Sequence, residues 1–323
     1  MKEGIRVELD SVYRTYRPLL LSLAYRMLGT VTEAEDLVQD VFITVQQQNL
    51  YQEESAVRSL KAYLCKMVTN RCLDQLKSAR KQREVYTGPW LPEPLVQDYA
   101  ITPGPASAAG QQAQDPLQIL LLEDTLSYAF LVMLERLTPV ERAVFILREA
   151  FDFNYHEIAD FVNRTEPGCR KIYSRLKRKI QEERPAEPFS SSRAEQLVLQ
   201  FLHAGATGDM EGLLALLAED IVLYSDGGGK VLAALRPVHS SQRVLAFIQG
   251  LIAKGQGQSQ GQDGSAGGVR LVRVNGQPGL VLTSAEEAYP TVVSLEFQDD
   301  RIQRIYLIRN PDKLQHLKLS AAE

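Results

Sequence analysis

Cysteine, histidine and tryptophan are scarce in this sequence, and positive charge is not in excess. Three Cys, four His and one Trp occur in 323 residues. Cys65 and Cys72 stand seven positions apart, so on one helix their Cα atoms would lie ~10 Å apart, beyond disulfide reach. The simplest reading is a reduced, cytosolic chain. His156, His203, His239 and His316 share no metal-ligand spacing with the cysteines, which argues against a zinc site. No window holds the roughly 18 uninterrupted apolar residues of a membrane span. The start, Met1-Lys2-Glu3-Gly4-Ile5-Arg6, has no apolar leader core. The expectation is a cytoplasmic chain with no metal, cofactor or membrane partner. Lys plus Arg total 36 against 40 Asp plus Glu, a net charge of −4. Taken whole, that balance argues against nucleic acid, whose affinity is largely phosphate neutralisation.

What is present is globular chemistry, 45% hydrophobic and 24% charged, in a length that suits two or three domains. From Leu9 to Met27 apolar residues recur at helical spacing, with Gly29 as a stop. Thr32, with Glu35 three residues on, predicts the cap of a second helix buried through Leu37, Val38, Val41, Phe42 and Val45. A third helix, about 59 to 83, buries Leu60, Leu64, Met67, Val68, Cys72 and Leu76. Residues 86–117 hold six prolines, three acids and no Lys or Arg, which reads as a linker. Thr138-Pro139-Val140-Glu141 and Asn154-Tyr155-His156-Glu157 are capped helix starts, and Thr165 caps a helix reaching about Glu183. After a second linker the pattern runs helix, helix, strand, strand, helix, then four strands, with Asn275-Gly276 as a hairpin signal. That order predicts a curved antiparallel sheet wrapping helices into a cone.

By segment the charge is uneven. Residues 170–184 carry seven Lys or Arg against Glu182 and Glu183, directly after a short capped helix and a tight connection. This is the arrangement of a helix-turn-helix, whose second helix enters the major groove. Ile172 and Leu176 are expected to face inward, with Lys171, Ser174, Arg175 and Arg178 outward. A second basic run, Lys66, Arg71, Lys77, Arg80, Lys81 and Arg83, lies on the third helix with Thr69, Asn70 and Asp74 among it. Such a face can track phosphates and bond exposed base edges.

Three stretches, Tyr25-Arg26-Met27-Leu28-Gly29, Ala34 to Phe42 and Thr69 to Asp74, resemble the polymerase-binding and promoter-melting domain of bacterial extracytoplasmic-function (ECF) sigma factors. Leu137 to Phe145 and Glu157-Ile158-Ala159 resemble their helix-turn-helix domain. Trp90-Leu91-Pro92-Glu93-Pro94, Asp226-Gly227-Gly228-Gly229-Lys230 and Asn310-Pro311-Asp312-Lys313-Leu314 resemble signatures of the subgroup with a fused SnoaL-like domain. The fold class implied is multidomain: two all-α domains followed by an α+β SnoaL-like cone. The divisions are 1–85 (sigma region 2), 86–117 (linker), 118–184 (sigma region 4), 185–192 (linker) and 193–323 (cone).

The resemblance implies that Asp36, Gln39, Asp40 and Phe42 dock on the β′ subunit of core RNA polymerase, which with the β subunit and promoter DNA makes up the partners. It implies that Asn70, Arg71, Asp74, Lys77 and Arg80 capture the unpaired minus-ten strand, which requires extruded bases. Arg170, Lys171, Ser174, Arg175 and Arg178 would read the minus-thirty-five element. The linker and cone motifs are expected to make regulatory contacts in cis, with Lys230 pairing or capping. An unidentified small-molecule ligand of the cone stays open, as do two other functions. One is a ligand-sensing helix-turn-helix regulator; the other is a DNA-binding chain carrying an enzyme, for which His203, Tyr224, Asp226 and Glu286 are the acid/base candidates.

Overall fold

The computed structural model describes residues 2–47, 59–83, 86–98, 127–183, 190–258, 268–284, 288–315 and 317. Two compact units divide it. The first contains α1 (Lys2–Leu28), α2 (Val31–Gln47), α3 (Leu60–Arg83), most of α4 (Tyr128–Glu135), α5 (Pro139–Glu149), α6 (Tyr155–Phe161) and α7 (Glu166–Glu183). α1 ends as expected: Gly29 takes a left-handed φ of 79° and its N–H donates to the Tyr25 carbonyl at 2.7 Å. The cap of α2 is Thr30 rather than Thr32, because Thr30 Oγ1 bonds Glu33 and the helix begins at Val31. Thr30–Glu33 and Thr32–Glu35 are overlapping registers of one pattern, and burial of Val31 and Ala34 selects the earlier one. α5 and α6 carry complete capping boxes on Thr138 and Asn154. Between α6 and α7 the chain turns through Asn163 at φ 50°, with the Arg164 N–H returning to the Ala159 carbonyl. This is a Schellman closure with asparagine in the glycine position. Thr165 Oγ1 then accepts from the Gly168 N–H, capping α7.

The α1–α3 bundle and the α5–α7 bundle pack on each other within this unit, not as separate bodies. The tie is Arg142, only 2% exposed, which donates to the Met27 carbonyl at 2.6 Å and pairs with Glu135 at 2.6 Å. A cation at the last turn of α1 both satisfies an orphan carbonyl and complements the helix dipole. Lys66 on α3 pairs with Asp160 on α6 at 2.7 Å.

The second unit joins residues 190–317 to the described linker residues and the first turn of α4. It holds α8 (Ser191–Thr207), α9 (Met210–Leu216), β2 (Leu217–Asp226), β3 (Val238–His239), α10 (Ser241–Gln258), β4 (Val269–Val274), β5 (Gln277–Leu282), β6 (Thr291–Gln298), β7 (Arg301–Ile308) and a 3₁₀ turn at Pro311–Lys313. Linker residues Val96–Asp98 form β1. The sheet order is β1-β4-β5-β6-β7-β2-β3. Every pairing is antiparallel except β2 with β7. The wholly antiparallel sheet expected above is corrected there: β2 and β7 are joined through β3, α10 and the strands β4, β5 and β6, the long crossover that parallel neighbours need. The Asn275-Gly276 hairpin forms with φ of 48° and 75°. Asp299-Asp300 makes the β6–β7 hairpin the same way without a glycine, at 49° and 60°.

Successive residues on a strand face opposite ways, and both faces of this sheet are buried. Leu223, Leu280, Val293, Leu295, Ile305 and Leu307 pack against α8, α9 and α10. The alternate set, Val272, Val274, Val281, Val292, Tyr306 and Ile308, is no more than 2% exposed. The linker side chains Leu91 and Leu95, with Tyr128, are buried to the same degree. Tyr128 meets the Tyr306 ring edge-on at 5.5 Å, and its hydroxyl donates to the Pro92 carbonyl at 2.7 Å. Among the described residues no helix is long and apolar enough to cross a membrane.

Candidate functional site

On α2, Asp36, Gln39 and Asp40 are exposed along one stripe. Ile43 continues it, 51% exposed, and was not anticipated; its signal in the sequence is an apolar side chain one turn beyond the acidic pair. Phe42 points inward instead, 6% exposed and edge-on to Tyr13 at 4.7 Å, so it shapes the bundle behind the stripe. On α3, Asn70, Asp74 and Lys77 are exposed, and the last two pair at 2.8 Å. Arg71 is half-buried, donating to Thr44 at 2.7 Å and facing Asp40 at 3.5 Å. It therefore links the two faces that the resemblance assigns to polymerase and to DNA. The Arg80 side chain lies outside the described residues. Thr69, expected on the basic face, is fully buried, and its hydroxyl has no partner among the described residues.

On α7 the inward set holds: Leu176 and Ile180 are buried and Ile172 is half-buried. Lys171, Ser174 and Arg178 are exposed and make no hydrogen bond or ion pair among the described residues. Arg170 pairs with Glu166 at 2.7 Å over the Tyr155 ring. Arg175 reaches back to Glu141 on α5. Burial alone would raise the Glu141 carboxyl, but the Thr138 capping bonds and the Arg175 guanidinium outweigh it and hold it below the usual carboxylate range.

The three linker and cone motifs, far apart in sequence, meet at one point. Asp226 ends β2 fully buried, and each carboxylate oxygen is doubly bonded. Oδ1 accepts from the Tyr86 hydroxyl at 2.6 Å and the Gly228 N–H at 3.0 Å. Oδ2 accepts from the Leu91 N–H at 2.9 Å and Lys313 Nζ at 2.7 Å. The Lys313 ammonium also donates to the Leu91 carbonyl and lies 4.0 Å from the centre of the Trp90 ring. Leu91, Pro92, Glu93, Pro94 and Leu314 are themselves buried. Asn310 caps the Pro311–Lys313 turn and donates to the Tyr86 oxygen at 2.9 Å. Burial, then the bond to Asp226, pushes the Tyr86 hydroxyl upward. The glycines are required by proximity: Gly228 has φ 62°, and a Cβ there would lie 2.5 Å from the Asn310 side chain. At Gly227 it would lie 2.4 Å from the Val231 carbonyl oxygen. Gly229 closes the turn at φ 72°, beside Thr87. Lys230 pairs outside with Asp312 at 2.6 Å.

The acid/base candidates do not converge. His203 is exposed on α8, which covers one face of the sheet, whereas Asp226 alternates onto the other and is filled by its four donors. Tyr224 stacks on Tyr306 at 5.6 Å, and Glu286 lies outside the described residues. Among the described residues no group of three His, Cys, Asp or Glu could hold a metal.

Comparison with known proteins follows this geometry. Residues 12–82 match Sigma-70 region 2, and residues 127–180 match Sigma-70, region 4. The chain is 31% identical over 314 residues to the "ECF RNA polymerase sigma factor SigJ" of Mycobacterium tuberculosis strain H37Rv, covering 94% of this chain and 92% of that one. It is 29% identical over 311 residues to the "Probable ECF RNA polymerase sigma factor SigI" of Mycobacterium tuberculosis strain CDC 1551, covering 96% of each. The crystal structure of Mycobacterium tuberculosis SigJ superposes with a TM-score of 0.69 at 28% identity, covering 94% of this chain and 97% of that one. The chain belongs to the ECF RNA polymerase sigma factors.

Proposed function

We propose that this sigma factor binds core RNA polymerase through the Asp36, Gln39, Asp40 and Ile43 stripe and directs it to promoters read at two elements. The exposed Asn70 and Lys77 with Arg71 serve the minus-ten strand, and Lys171, Ser174 and Arg178 serve the minus-thirty-five groove. The reading rests on one observation above all: sigma regions 2 and 4 occur in order, and the region 4 helix α7 turns Lys171 and Arg178 outward without a partner among the described residues. Helices in contact pack 8–10 Å apart, so α3 and α7, with α5 and α6 between them, are separated by about 20 Å. The two promoter elements are centred about 25 base pairs apart, roughly 85 Å along the duplex. The closed first unit cannot engage both, so polymerase binding opens it, with Arg142 and Lys66 as the contacts released. The C-terminal domain acts in cis by holding residues 86–98, which sets how much chain is free between the two DNA-reading domains. It has no chemistry of its own, and the chain works in the cytoplasm, beside the polymerase.

A gel shift on a target promoter with and without core enzyme, paired with run-off transcription, tests this. Specific retardation should need core enzyme, and Arg178→Ala should lower promoter-specific transcripts while leaving core binding intact. Tight specific binding by the protein alone would instead favour a free-standing helix-turn-helix regulator.

A further inference from the structure

The surroundings of Lys313 have the composition of a cation-recognition site, not of a structural ion pair alone. Its ammonium has a carboxylate oxygen, a backbone carbonyl, an indole face at 4.0 Å and a phenol ring at 5.3 Å, and the side chain is 6% exposed. Aromatic faces attract ammonium groups most strongly where water is excluded. All four of these groups belong to segments other than that of the lysine: Tyr86, Trp90 and the Leu91 carbonyl from the linker, Asp226 from β2. The lysine arrives separately, on a short turn closed by the Asn310 cap and continued, among the described residues, by the turn bond from Leu317 to Leu314. A site built by one part of the chain and filled by another is a ligand site with a tethered ligand.

The geometry points to a primary-ammonium binding site at the junction of linker and sheet, formed by Tyr86, Trp90, the Leu91 carbonyl and Asp226, in which Lys313 is the chain's own resident ligand. The chemical class follows from the contacts. Two acceptors need N–H donors, which a primary alkylammonium has and a quaternary ammonium lacks. The residues that follow these groups in the chain, Leu314 after the lysine and Pro92 after Leu91, are buried and apolar, which suits an alkyl stem. Tethering gives the lysine an effective concentration in the millimolar range or above, so it excludes free amines while the turn is closed. The inference does not depend on the transcriptional reading.

The full-length Lys313→Ala variant tests it. The missing atoms Cγ, Cδ, Cε and Nζ are those of n-propylammonium, and Trp90, the only tryptophan of the chain, lies at the site as a fluorescent reporter. Propylammonium chloride should give a saturable change in Trp90 emission with half-saturation in the millimolar range, and should return the thermal midpoint toward that of the unaltered chain. The unaltered chain should be at least tenfold less responsive. Tetramethylammonium chloride at equal ionic strength should do neither, and Asp226→Asn combined with Lys313→Ala should abolish the response. If Lys313→Ala alone is insoluble, the same titration is read as recovery of soluble chain when the amine is present during refolding. No response to propylammonium, an equal response to tetramethylammonium, or a response that survives Asp226→Asn overturns the assignment.

Discussion

Replacing Asp226 by alanine strikes the point at which linker, sheet and C-terminal turn meet. The substitution leaves the Lys313 ammonium buried with one acceptor in place of two, and leaves the Leu91 N–H and the Tyr86 hydroxyl without their acceptor. Removing one partner of a buried pair costs about 3–5 kcal/mol, and each stranded donor about 1–3 kcal/mol. These terms overlap, because relaxation that rehydrates the lysine also rehydrates its neighbours, so ~4 kcal/mol is the working figure. That is a large part of the 5–15 kcal/mol by which domains are stable. With a urea m-value of about 2 kcal/mol/M, the unfolding transition followed by Trp90 emission should move down by roughly 2 M. Protease sensitivity between residues 86 and 98 should rise with it. The partner variant Asp226→Ala with Lys313→Met removes the uncompensated charge and should be more stable than Asp226→Ala alone, giving a coupling energy in the double-mutant cycle of at least ~1 kcal/mol. A transition unchanged within ~0.5 kcal/mol, or strictly additive substitutions, would refute the assignment of Asp226 as the anchor of the linker.

Two further outcomes follow from groups with displaced proton affinities. Glu141 is held below the usual carboxylate value in the folded chain, so its contribution to stability is present above the unfolded value of about 4.3 and is lost as pH falls through the folded one. Glu141→Gln should therefore destabilise the helix-turn-helix at pH 7, with the gap from the unaltered chain closing below about pH 4 in urea titrations; a gap constant with pH contradicts the capping geometry. All three cysteines are buried and free, and burial pushes Cys65 up to about 12 and raises Cys72 and Cys169. At pH 8 iodoacetamide should label them only in denaturant, as counted by mass spectrometry, whereas labelling of the native chain at the rate of a free thiol contradicts the packing of α3, for Cys65 and Cys72, or of α7, for Cys169.

Much of this was legible in the sequence because it is local. The caps Thr138, Asn154 and Thr165 act within four residues, and the Asn275-Gly276 turn needs only its own two φ angles. The outward cations of α7 follow from helical period once its start is known. What escaped was set by distant partners. The prolines at 89, 92 and 94 announce a non-helical segment, and although the motif resemblance implies contacts with the cone, nothing local reveals that Val96–Asp98 joins the sheet as a strand beside β4, nearly two hundred residues away. The burial of Thr69 depends on how α1, α2 and α3 pack, not on α3 alone, whereas the inward side of Phe42 was already given by the helical period of α2, against its implied docking role. One nonlocal signal was present. Val292-Val293 and Ile305-Tyr306-Leu307-Ile308 are apolar on both strand faces, which in a sheet with one wet face would be alternation. Such runs require a second cover that the helices of the same domain do not supply.

That second cover changes what a truncation of this protein means. A chain cut before Ser190 loses the C-terminal domain and at the same time uncovers Trp90, Leu91, Leu95 and Tyr128, four large apolar groups that the sheet otherwise packs or pairs. The reciprocal piece, residues 190 onward without the linker, exposes the apolar face led by Val272, Val274 and Val292, together with the hydrogen-bonding edge of β4 that β1 occupies. An open edge beside an apolar face favours aggregation. The folding unit is therefore discontinuous: residues 86–98 and the first turn of α4 belong to the C-terminal domain by burial and by β pairing, although composition assigns them to the connection between the DNA-reading helices. A cis-acting role follows from that membership without any ligand, because chain held as a strand and a cover is chain unavailable as a connection.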